Sequence, residues 1–210
     1  MASEIACQAY LISPPLDKAG VGAFASMLEA ALRAGPVASL LARVASDAQG
    51  DAKAILHTLA PLTAAAGVAL LVENDARLAA RAGADGAHVA GAGGNLADAL
   101  ASLKPERIVG AGLLRGRDDA MAAGEAGADY VMFGEPRPDG YTPPLEETIE
   151  RVAWWAAIFE PPCVGYAAGV DDVARLVAAG ADFVALGGAI WDAASPAQAL
   201  AQALGAMEAR

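Results

Sequence analysis

Short apolar runs alternate along the whole chain with longer stretches in which apolar and polar positions recur at helical spacing. The apolar runs have the length of strands and cover residues 5–12, 37–41, 68–72, 87–89, 108–111, 130–133, 163–166 and 183–186. The stretches of helical spacing cover residues 22–34, 51–66, 75–82, 95–103, 117–126, 145–158, 171–179 and 196–208. The pattern therefore predicts eight strands that alternate with eight helices.

The tetrapeptide Ala-Gly-Ala-Asp marks three of the predicted passages from helix to strand, at residues 82–85, 126–129 and 179–182. Its glycine suits the left-handed conformation that ends a helix, and its alanines let the helix end lie close to a sheet. The spacing between copies leaves room for one βα unit. Repeated helix-to-strand corners of this kind are typical of a parallel α/β fold.

Eight βα units in 210 residues are typical of a compact (β/α)8 TIM barrel, and we expect a single domain of this kind over residues 1–210. An open, doubly wound sheet is the alternative. Such a sheet usually has fewer strands, and no G-x-G-x-x-G motif follows the first predicted strand. The barrel is therefore favoured, and its chemistry is expected in the loops after the carboxyl ends of the strands.

Composition and charge narrow the classes of partner. The formal net charge of −11 argues against nucleic acid, because phosphate backbones need a basic face. No apolar stretch reaches the roughly 18 residues of a membrane span, and residues 1–4 lack the basic segment of a signal peptide. We therefore expect a cytoplasmic protein that binds neither nucleic acid nor membrane. Local binding of phosphate through amides, arginines or a metal ion stays open.

Several stretches resemble the thiamine phosphate synthase/TenI family. Residues 74–75 and 81–89 resemble its N-D-R after the third strand and its G-A-D-G-V-H-L at the fourth. Residues 108–110 and 125–134 resemble the pattern of its fifth and sixth strands, and residues 179–190 resemble its eighth strand and phosphate loop. The resemblance covers about residues 37–190, and it implies the barrel fold.

The resemblance also implies a transferase of thiamine biosynthesis. Enzymes of this family join a pyrimidine methyl diphosphate to a thiazole phosphate and release pyrophosphate, with Mg²⁺ at the diphosphate. The reaction needs cations around the diphosphate, a carboxylate for the metal and an amide-rich pocket for the second phosphate. A phosphorylated small molecule is therefore the expected ligand, and Mg²⁺ is the expected cofactor.

The candidate residues for diphosphate and metal follow the second, third and sixth strands. Arg43 lies where the family has Q-L-R-x-K, and it either contacts the diphosphate or is a solvated arginine. The family pattern assigns Asp75, or alternatively Glu73 or Asn74, as the metal ligand; Asn74 is also a catalytic candidate. Asn74 or Asp75 could instead cap the next helix. Arg137 takes the place of the family's lysine as a catalytic candidate.

The loops after the fourth and fifth strands depart from the family. Its aspartate after the fourth strand is absent, because residues 91–95 are Gly-Ala-Gly-Gly-Asn. Its S-T-H after the fifth strand is replaced by residues 113–117, in which Arg115 is a candidate for phosphate binding. His88, inside the fourth strand, is either a catalytic residue that faces the barrel mouth or a hydrogen-bonded core histidine.

Glycines are the candidates for binding the thiazole phosphate. Gly169 follows the seventh strand, and Gly187 and Gly188 open a short helix after the eighth. Phosphate commonly binds at such a helix start in phosphate-binding barrels. The alternative is that these glycines only let the backbone pack at the rim.

Three functions remain open. The first is transfer of the thiamine phosphate synthase type, although the polar residues missing after the second, fourth and fifth strands weigh against it. The second is a TenI-like thiazole phosphate tautomerase, in which His88, Glu73 or Glu135 serves as the acid–base group. The third is a non-catalytic barrel of the same family that binds a phosphorylated ligand. Trp154 and Trp155 pack against the barrel or a partner subunit, so a homodimer is also open.

Overall fold

A computed structural model describes residues 6–208 of the chain. Residue 5, the first of the predicted strand 5–12, lies outside the described residues. Residues 1–4, on which the expectation about a signal peptide rests, lie outside them as well. Within 6–208, no helix combines the length and the apolar character that crossing a membrane requires.

Eight parallel strands form a closed barrel in chain order, in which each strand pairs with the next and the last pairs with the first. They are β1 (Gln8–Leu16), β2 (Ser39–Val44), β3 (Ala69–Glu73), β4 (Gly86–Ala90), β5 (Ile108–Gly112), β6 (Tyr130–Phe133), β7 (Cys163–Ala167) and β8 (Phe183–Leu186). The predicted (β/α)8 barrel is confirmed, and the open sheet is wrong.

The helices pack against the strands and against one another, and they follow the predicted alternation. They are α1 (Val21–Leu32), α2 (Ala52–Ala66), α3 (Ala76–Ala82), α4 (Gly94–Leu103), α5 (Arg117–Glu125), α6 (Leu145–Ala156), α7 (Val173–Ala178), α8 (Gly188–Trp191) and α9 (Pro196–Glu208). Short 3₁₀ turns, Ser46–Asp51 and Val170–Asp172, precede α2 and α7. The short helix expected after the eighth strand is α8.

The first strand is longer than its apolar run predicts. β1 continues through Pro14 and Pro15, and its register with β2 shifts between Ile12 and Pro15. Proline lacks the N–H that a strand donates, so two prolines usually mark a strand end. The shift lets β1 pass the prolines and keep pairing. It also brings the Ser13 hydroxyl to the amide of Arg43, which donates to it at 2.9 Å.

The glycine of each Ala-Gly-Ala-Asp corner has a positive φ, as the sequence predicts. The angle is 71° at Gly83, 98° at Gly127 and 97° at Gly180. A side chain with a Cβ rarely adopts this conformation, so these positions favour glycine. The corners therefore end α3, α5 and α7 and turn the chain into β4, β6 and β8.

The aspartate of each corner ties its own strand to the preceding strand of the barrel. Its amide donates to the carbonyl of one residue at the start of that strand, and its Oδ2 accepts from the amide of the same residue. The pairs are Asp85 with Leu70, Asp129 with Val109, and Asp182 with Cys163. The carboxylate thus acts as one more carbonyl of the sheet, at the end of the barrel that serves stability.

Two tyrosines fill the middle of the barrel. Tyr10 of β1 and Tyr130 of β6 are buried, and their hydroxyl oxygens are 2.8 Å apart. Gly110 of β5 makes room for them, because a Cβ at that position would overlap the ring of Tyr130. The large ring of Tyr130 on β6 thus fills the space that Gly110 on β5 leaves free, which keeps the interior closely packed.

We expect Gly110→Ala to lower the free energy of unfolding by about 2 kcal/mol, because overpacking a filled core forces side chains out of place. The Tyr130 ring cannot easily turn aside, since it stacks on His88 and its edge meets Tyr10. Chemical denaturation followed by circular dichroism measures the change. The control is Gly205→Ala in α9, where a Cβ meets nothing within 4 Å; it should stabilise by about 0.5–1 kcal/mol. An unchanged stability for Gly110→Ala would contradict this packing.

Candidate active site

A cavity of about 240 Å³ opens where the carboxyl ends of the strands meet. Six of the predicted site residues line it: Arg43, Glu73, Asn74, His88, Gly187 and Gly188. Its apolar walls include Ile12, Leu41, Leu113, Met132 and Trp191, and its other polar side chains are Ser13, Glu135, Tyr166 and Asp192. The barrel mouth therefore brings together residues that are far apart in the sequence.

Two predicted site residues are held at helix starts instead. Asp75, predicted as the metal ligand, does not line the cavity, and its Oδ1 accepts from the amide of Leu78 at 2.7 Å. It caps α3, which is the alternative that the sequence left open. Gly169, predicted to contact phosphate, also lies outside the cavity lining, and its amide donates to Oδ2 of Asp172 at 2.9 Å.

Two predicted arginines also lie outside the cavity lining. The Arg137 guanidinium lies over the ring of Tyr141, 4.7 Å from its centre. Arg115 is exposed, and its carbonyl accepts from the guanidinium of Arg151 at 3.0 Å. Both side chains belong to the loops that surround the mouth, so neither forms part of the cavity wall.

Arg43 and Glu73 form an ion pair on one side of the cavity. Arg43 Nε donates to Glu73 Oε1 at 3.1 Å, and the two side chains are 40% and 31% exposed. They meet because β2 and β3 are neighbours whose ends reach the same height. The ion pair holds the guanidinium at the cavity wall through its Nε. The other N–H groups of the guanidinium are partly exposed and could donate to an anionic group of a ligand.

Asn74 joins the end of β3 to β4. It has a left-handed backbone with φ of 54°, which asparagine tolerates better than most residues. Its Oδ1 accepts from the amide of Ala90 at 2.8 Å, and its own amide donates to the carbonyl of His88. The side-chain oxygen is therefore occupied in holding the rim of the barrel, although Asn74 lines the cavity.

His88 is both a core residue and part of the cavity floor. It is 5% exposed, its Nδ1 is 2.9 Å from the hydroxyl of Tyr130, and the two rings stack. Burial lowers the pKa of His88 from 6.5 to about 4, so the ring is neutral at pH 7. Burial also raises the pKa of Tyr130, which stays protonated. His88 is therefore a hydrogen-bonded core histidine that also lines the cavity, and its catalytic role stays a prediction.

Glu135 approaches His88 from the end of β6. Its Oε1 accepts a hydrogen bond from the amide of Leu113 and lies 3.9 Å from Nε2 of His88. The side chain is only 11% exposed. Burial raises the pKa of Glu135 from 4.5 to about 7, and the Leu113 amide offsets part of that rise. The cavity thus holds a carboxyl group that titrates near neutral pH.

Another part of the cavity wall is formed by the start of α8, which follows β8. Gly187 and Gly188 line the cavity here, and their contact with a phosphate stays a prediction. Trp191 donates from Nε1 to the carbonyl of Ile12 at 2.6 Å, which fixes α8 against β1. Asp192 lies close by, since a Cβ on Gly188 would be 2.7 Å from its Oδ2. A phosphate here would therefore meet both backbone amides and a carboxylate.

The carboxylates at the mouth bear on whether the site suits Mg²⁺. Within residues 6–208, no three histidine, cysteine, aspartate or glutamate side chains come together as a metal cage. Mg²⁺ is nevertheless often held by one or two carboxylates together with substrate phosphates and water. Glu73 lines the cavity beside Arg43 and is one such carboxylate. Mg²⁺ at this cavity therefore stays a prediction, with Glu73 as the residue that could hold it.

Sequence reasoning missed part of the cavity wall. Tyr166 is the penultimate residue of β7 and Asp192 follows α8, and neither was singled out. Burial raises the pKa of Tyr166. The charge of Arg43 lowers this pKa and that of Asp192 raises it further, so the tyrosine senses both groups. Glu135 was weighed only as an acid–base group, although its position directly after β6 already predicts that it faces the mouth.

Comparison with solved structures supports the fold. Thiamine phosphate pyrophosphorylase from Pyrococcus furiosus superposes with a TM-score of 0.80 at 21% identity, covering 96% of this chain and 95% of the other. A 3-hexulose-6-phosphate synthase superposes with a TM-score of 0.71 at 19% identity, covering 94% and 99% of the two chains. At these identities the likeness concerns the barrel alone.

Comparison with known sequences goes further. Two relatives are named thiamine-phosphate synthase. The one from Erythrobacter litoralis is 38% identical over 97% of this chain and 98% of its own length. The one from Rhodospirillum centenum is 40% identical over 93% and 95%. The family described as thiamine monophosphate synthase matches residues 9–190. On this match and on these relatives, the chain belongs to the thiamine monophosphate synthase family.

Proposed function

We propose that this chain joins a pyrimidine methyl diphosphate to a thiazole phosphate and releases pyrophosphate. The observation that carries the proposal is that one cavity is lined both by the Arg43–Glu73 pair and by Gly187 and Gly188. A diphosphate and a phosphate need two separate anion subsites, and this cavity offers candidates for both. The relatives named thiamine-phosphate synthase support the same reaction.

The reaction forms one bond and breaks one. The thiazole nitrogen attacks the methylene carbon of the pyrimidine, and the bond from that carbon to the diphosphate oxygen breaks. The electron pair of the broken bond leaves with the diphosphate. Arg43 acts at this point, because its guanidinium faces the growing negative charge. When Mg²⁺ is bound, it supplies further positive charge there, and Glu73 is the residue that would hold it.

The walls of the cavity act on the rings rather than on the phosphates. Ile12, Leu41 and Met132 give an apolar lining around the floor. The volume of about 240 Å³ is small for a ligand pocket, so the rings occupy the cavity while the phosphate groups stay at the open mouth. An apolar lining keeps water away from the electron-poor methylene carbon while its bond to oxygen breaks.

A thiazole phosphate tautomerase is the second candidate, because Glu135 offers an acid–base group with a pKa near 7. That reaction moves a proton and needs a single phosphate subsite. It requires no diphosphate, and neither Arg43 nor Mg²⁺ has a role in it.

The setting of the protein is part of the proposal. The net charge of −11 weighs against a role on nucleic acid. Small phosphorylated ligands would be bound locally at the cavity, and we place the protein in the cytoplasm. Ile158 is 64% exposed and lies just beyond α6, next to the partly buried Trp154, whereas Trp155 is buried against Phe133. This surface is where we place the contact of a homodimer.

Purified protein is expected to form thiamine phosphate and pyrophosphate in equal amounts from the two substrates with Mg²⁺. Chelation by EDTA should abolish turnover, and added Mg²⁺ should restore it. The tautomerase arm uses the thiazole phosphate isomer alone with EDTA present, and isomerisation there would favour the second candidate. Binding of both substrates with neither reaction would overturn both proposals and leave a ligand-binding barrel.

A further inference from the structure

The floor of the cavity carries a carboxyl group that the reaction as written does not use. Glu135 is 11% exposed and lines the cavity between Leu113 and Pro136. Its Oε1 accepts from the amide of Leu113. A buried carboxyl group is costly unless it is hydrogen-bonded. Its placement among apolar walls, and away from the Arg43–Glu73 pair, therefore suggests a partner other than the diphosphate.

The inward turn of Glu135 is built into the neighbouring strand. A Cβ at Gly112, the last residue of β5, would overlap both Glu135 Oε1 and His88 Nε2. The missing side chain at this position lets the carboxyl group lie across the floor and approach the imidazole to 3.9 Å. The orientation of Glu135 is therefore fixed by packing on two strands.

We propose that Glu135 recognises the pyrimidine substrate by its amino edge, donating from a protonated Oε2 to the ring nitrogen and accepting from the adjacent amino group at Oε1. The pyrimidine of thiamine has an amino group next to a ring nitrogen, which is a donor beside an acceptor. A carboxylic acid has the complementary pair at matching spacing. The inference rests on the proposed function, because the pyrimidine is the substrate of that reaction.

The surroundings of Glu135 favour the proton that this contact needs. Its pKa is raised to about 7 by burial, although Arg151 and Arg137 lower it slightly. The pKa of His88 is lowered to about 4 by burial, so the imidazole is neutral and offers no competing cation. The neighbouring tyrosines, Tyr130 and Tyr10, keep their protons because burial raises both pKa values.

A direct consequence is that affinity depends on pH. The contact needs one proton shared between Glu135 and the ring nitrogen. Below about pH 7 the free protein already carries that proton. Above it, each further pH unit lowers the protonated fraction of the protein by about tenfold, so affinity falls by about tenfold per unit.

The test is calorimetric titration of the folded protein with 4-amino-5-hydroxymethyl-2-methylpyrimidine, without diphosphate and without metal, between pH 6.5 and 8.5. The unsubstituted protein should show affinity that falls above pH 7. Glu135→Gln should bind with a flat pH profile, because its amide offers the same acceptor and a permanent N–H donor. Glu135→Leu should bind about 10- to 100-fold more weakly at pH 6.5, because two hydrogen bonds are lost.

The control ligand is 4-methylbenzyl alcohol, which keeps the ring, methyl and hydroxymethyl groups but has neither the amino group nor a ring nitrogen. The three proteins should bind it with equal and pH-independent affinity. The inference is overturned if the unsubstituted protein does not bind the aminopyrimidine. It is also overturned if Glu135→Leu binds it as tightly, or if Glu135→Gln keeps the pH dependence. Circular dichroism checks that each variant folds, and if Glu135→Leu does not, the profile of Glu135→Gln decides alone.

Failure of the proposed function is distinguishable from failure of this inference. Absence of turnover, with aminopyrimidine binding that still depends on Glu135, would overturn the function only. Turnover with an unchanged KM for the pyrimidine diphosphate in Glu135→Gln and Glu135→Leu at every pH would overturn the inference only.

Discussion

Replacing Arg43 by methionine is expected to lower kcat for thiamine phosphate formation by about 10²- to 10³-fold. Methionine keeps much of the apolar stem of arginine but removes the charge that faces the leaving diphosphate. The ion pair with Glu73 is partly exposed, so its loss alone should change stability by no more than about 1 kcal/mol. Steady-state kinetics at saturating concentrations of both substrates measures the effect.

Three companion measurements make the Arg43 result specific. The kcat of Arg43→Lys should lie between those of the unsubstituted enzyme and Arg43→Met, because lysine keeps a point charge but lacks the planar guanidinium group. Arg33→Met is the matched control, since Arg33, just after α1, forms an exposed ion pair with Glu29 far from the cavity lining. The kcat of this variant should not change. Calorimetry should find weaker binding of pyrophosphate with Mg²⁺ to Arg43→Met. A kcat within threefold of the unsubstituted enzyme would rule out a role for Arg43 at the leaving group.

Glu135→Gln is expected to make the protein more stable by about 3 kcal/mol at pH 8.5 and to change stability by less than about 1 kcal/mol near pH 5. The pKa of Glu135 is 4.5 in the unfolded chain and about 7 in the fold. The folded state therefore binds the proton more tightly. This contribution to stability is complete below pH 4.5 and is lost as the pH rises towards 7 and beyond. Glutamine stays neutral at every pH, so the free energy of unfolding of Glu135→Gln does not fall in this way as the pH rises.

Urea denaturation at the two pH values measures the difference. Glu125→Gln is the control, because Glu125 lies at an exposed position of α5, and it should shift stability by less than about 0.5 kcal/mol at either pH. An equal effect of Glu135→Gln at pH 5 and pH 8.5 would mean that Glu135 ionises normally in the fold. The pH-dependent recognition proposed for it would then lose its physical basis.

The fold was predictable because its signals are local. Apolar runs of strand length, helical spacing between them and a glycine at each corner are all visible within a few neighbouring residues. The extension of β1 past Pro14 could not be predicted, because the register shift that permits it depends on pairing with β2. The role of Asp85 was hidden for a similar reason, since its partner Leu70 belongs to another strand.

The site was predictable where strand topology alone decides the position. Arg43, Glu73 and Gly187 line the cavity because they end or directly follow strands of the barrel. The sequence could not decide between a metal ligand and a helix cap at Asp75, and in the fold its carboxylate caps α3. Glu135 was undervalued because its inward turn depends on a side chain that Gly112 lacks, and a missing atom on another strand leaves no trace in the local pattern.

The three corner aspartates stabilise the barrel at the end opposite the cavity. They secure strand pairing at the rim that faces away from the ligand, where Asp182, for example, completes the ladder between β7 and β8. Changes in the loops at the ligand end leave these links untouched. A lineage built on this scaffold is therefore free to lose or exchange polar residues around its substrates while the barrel survives, and the altered loops after β4 and β5 are what such freedom would produce.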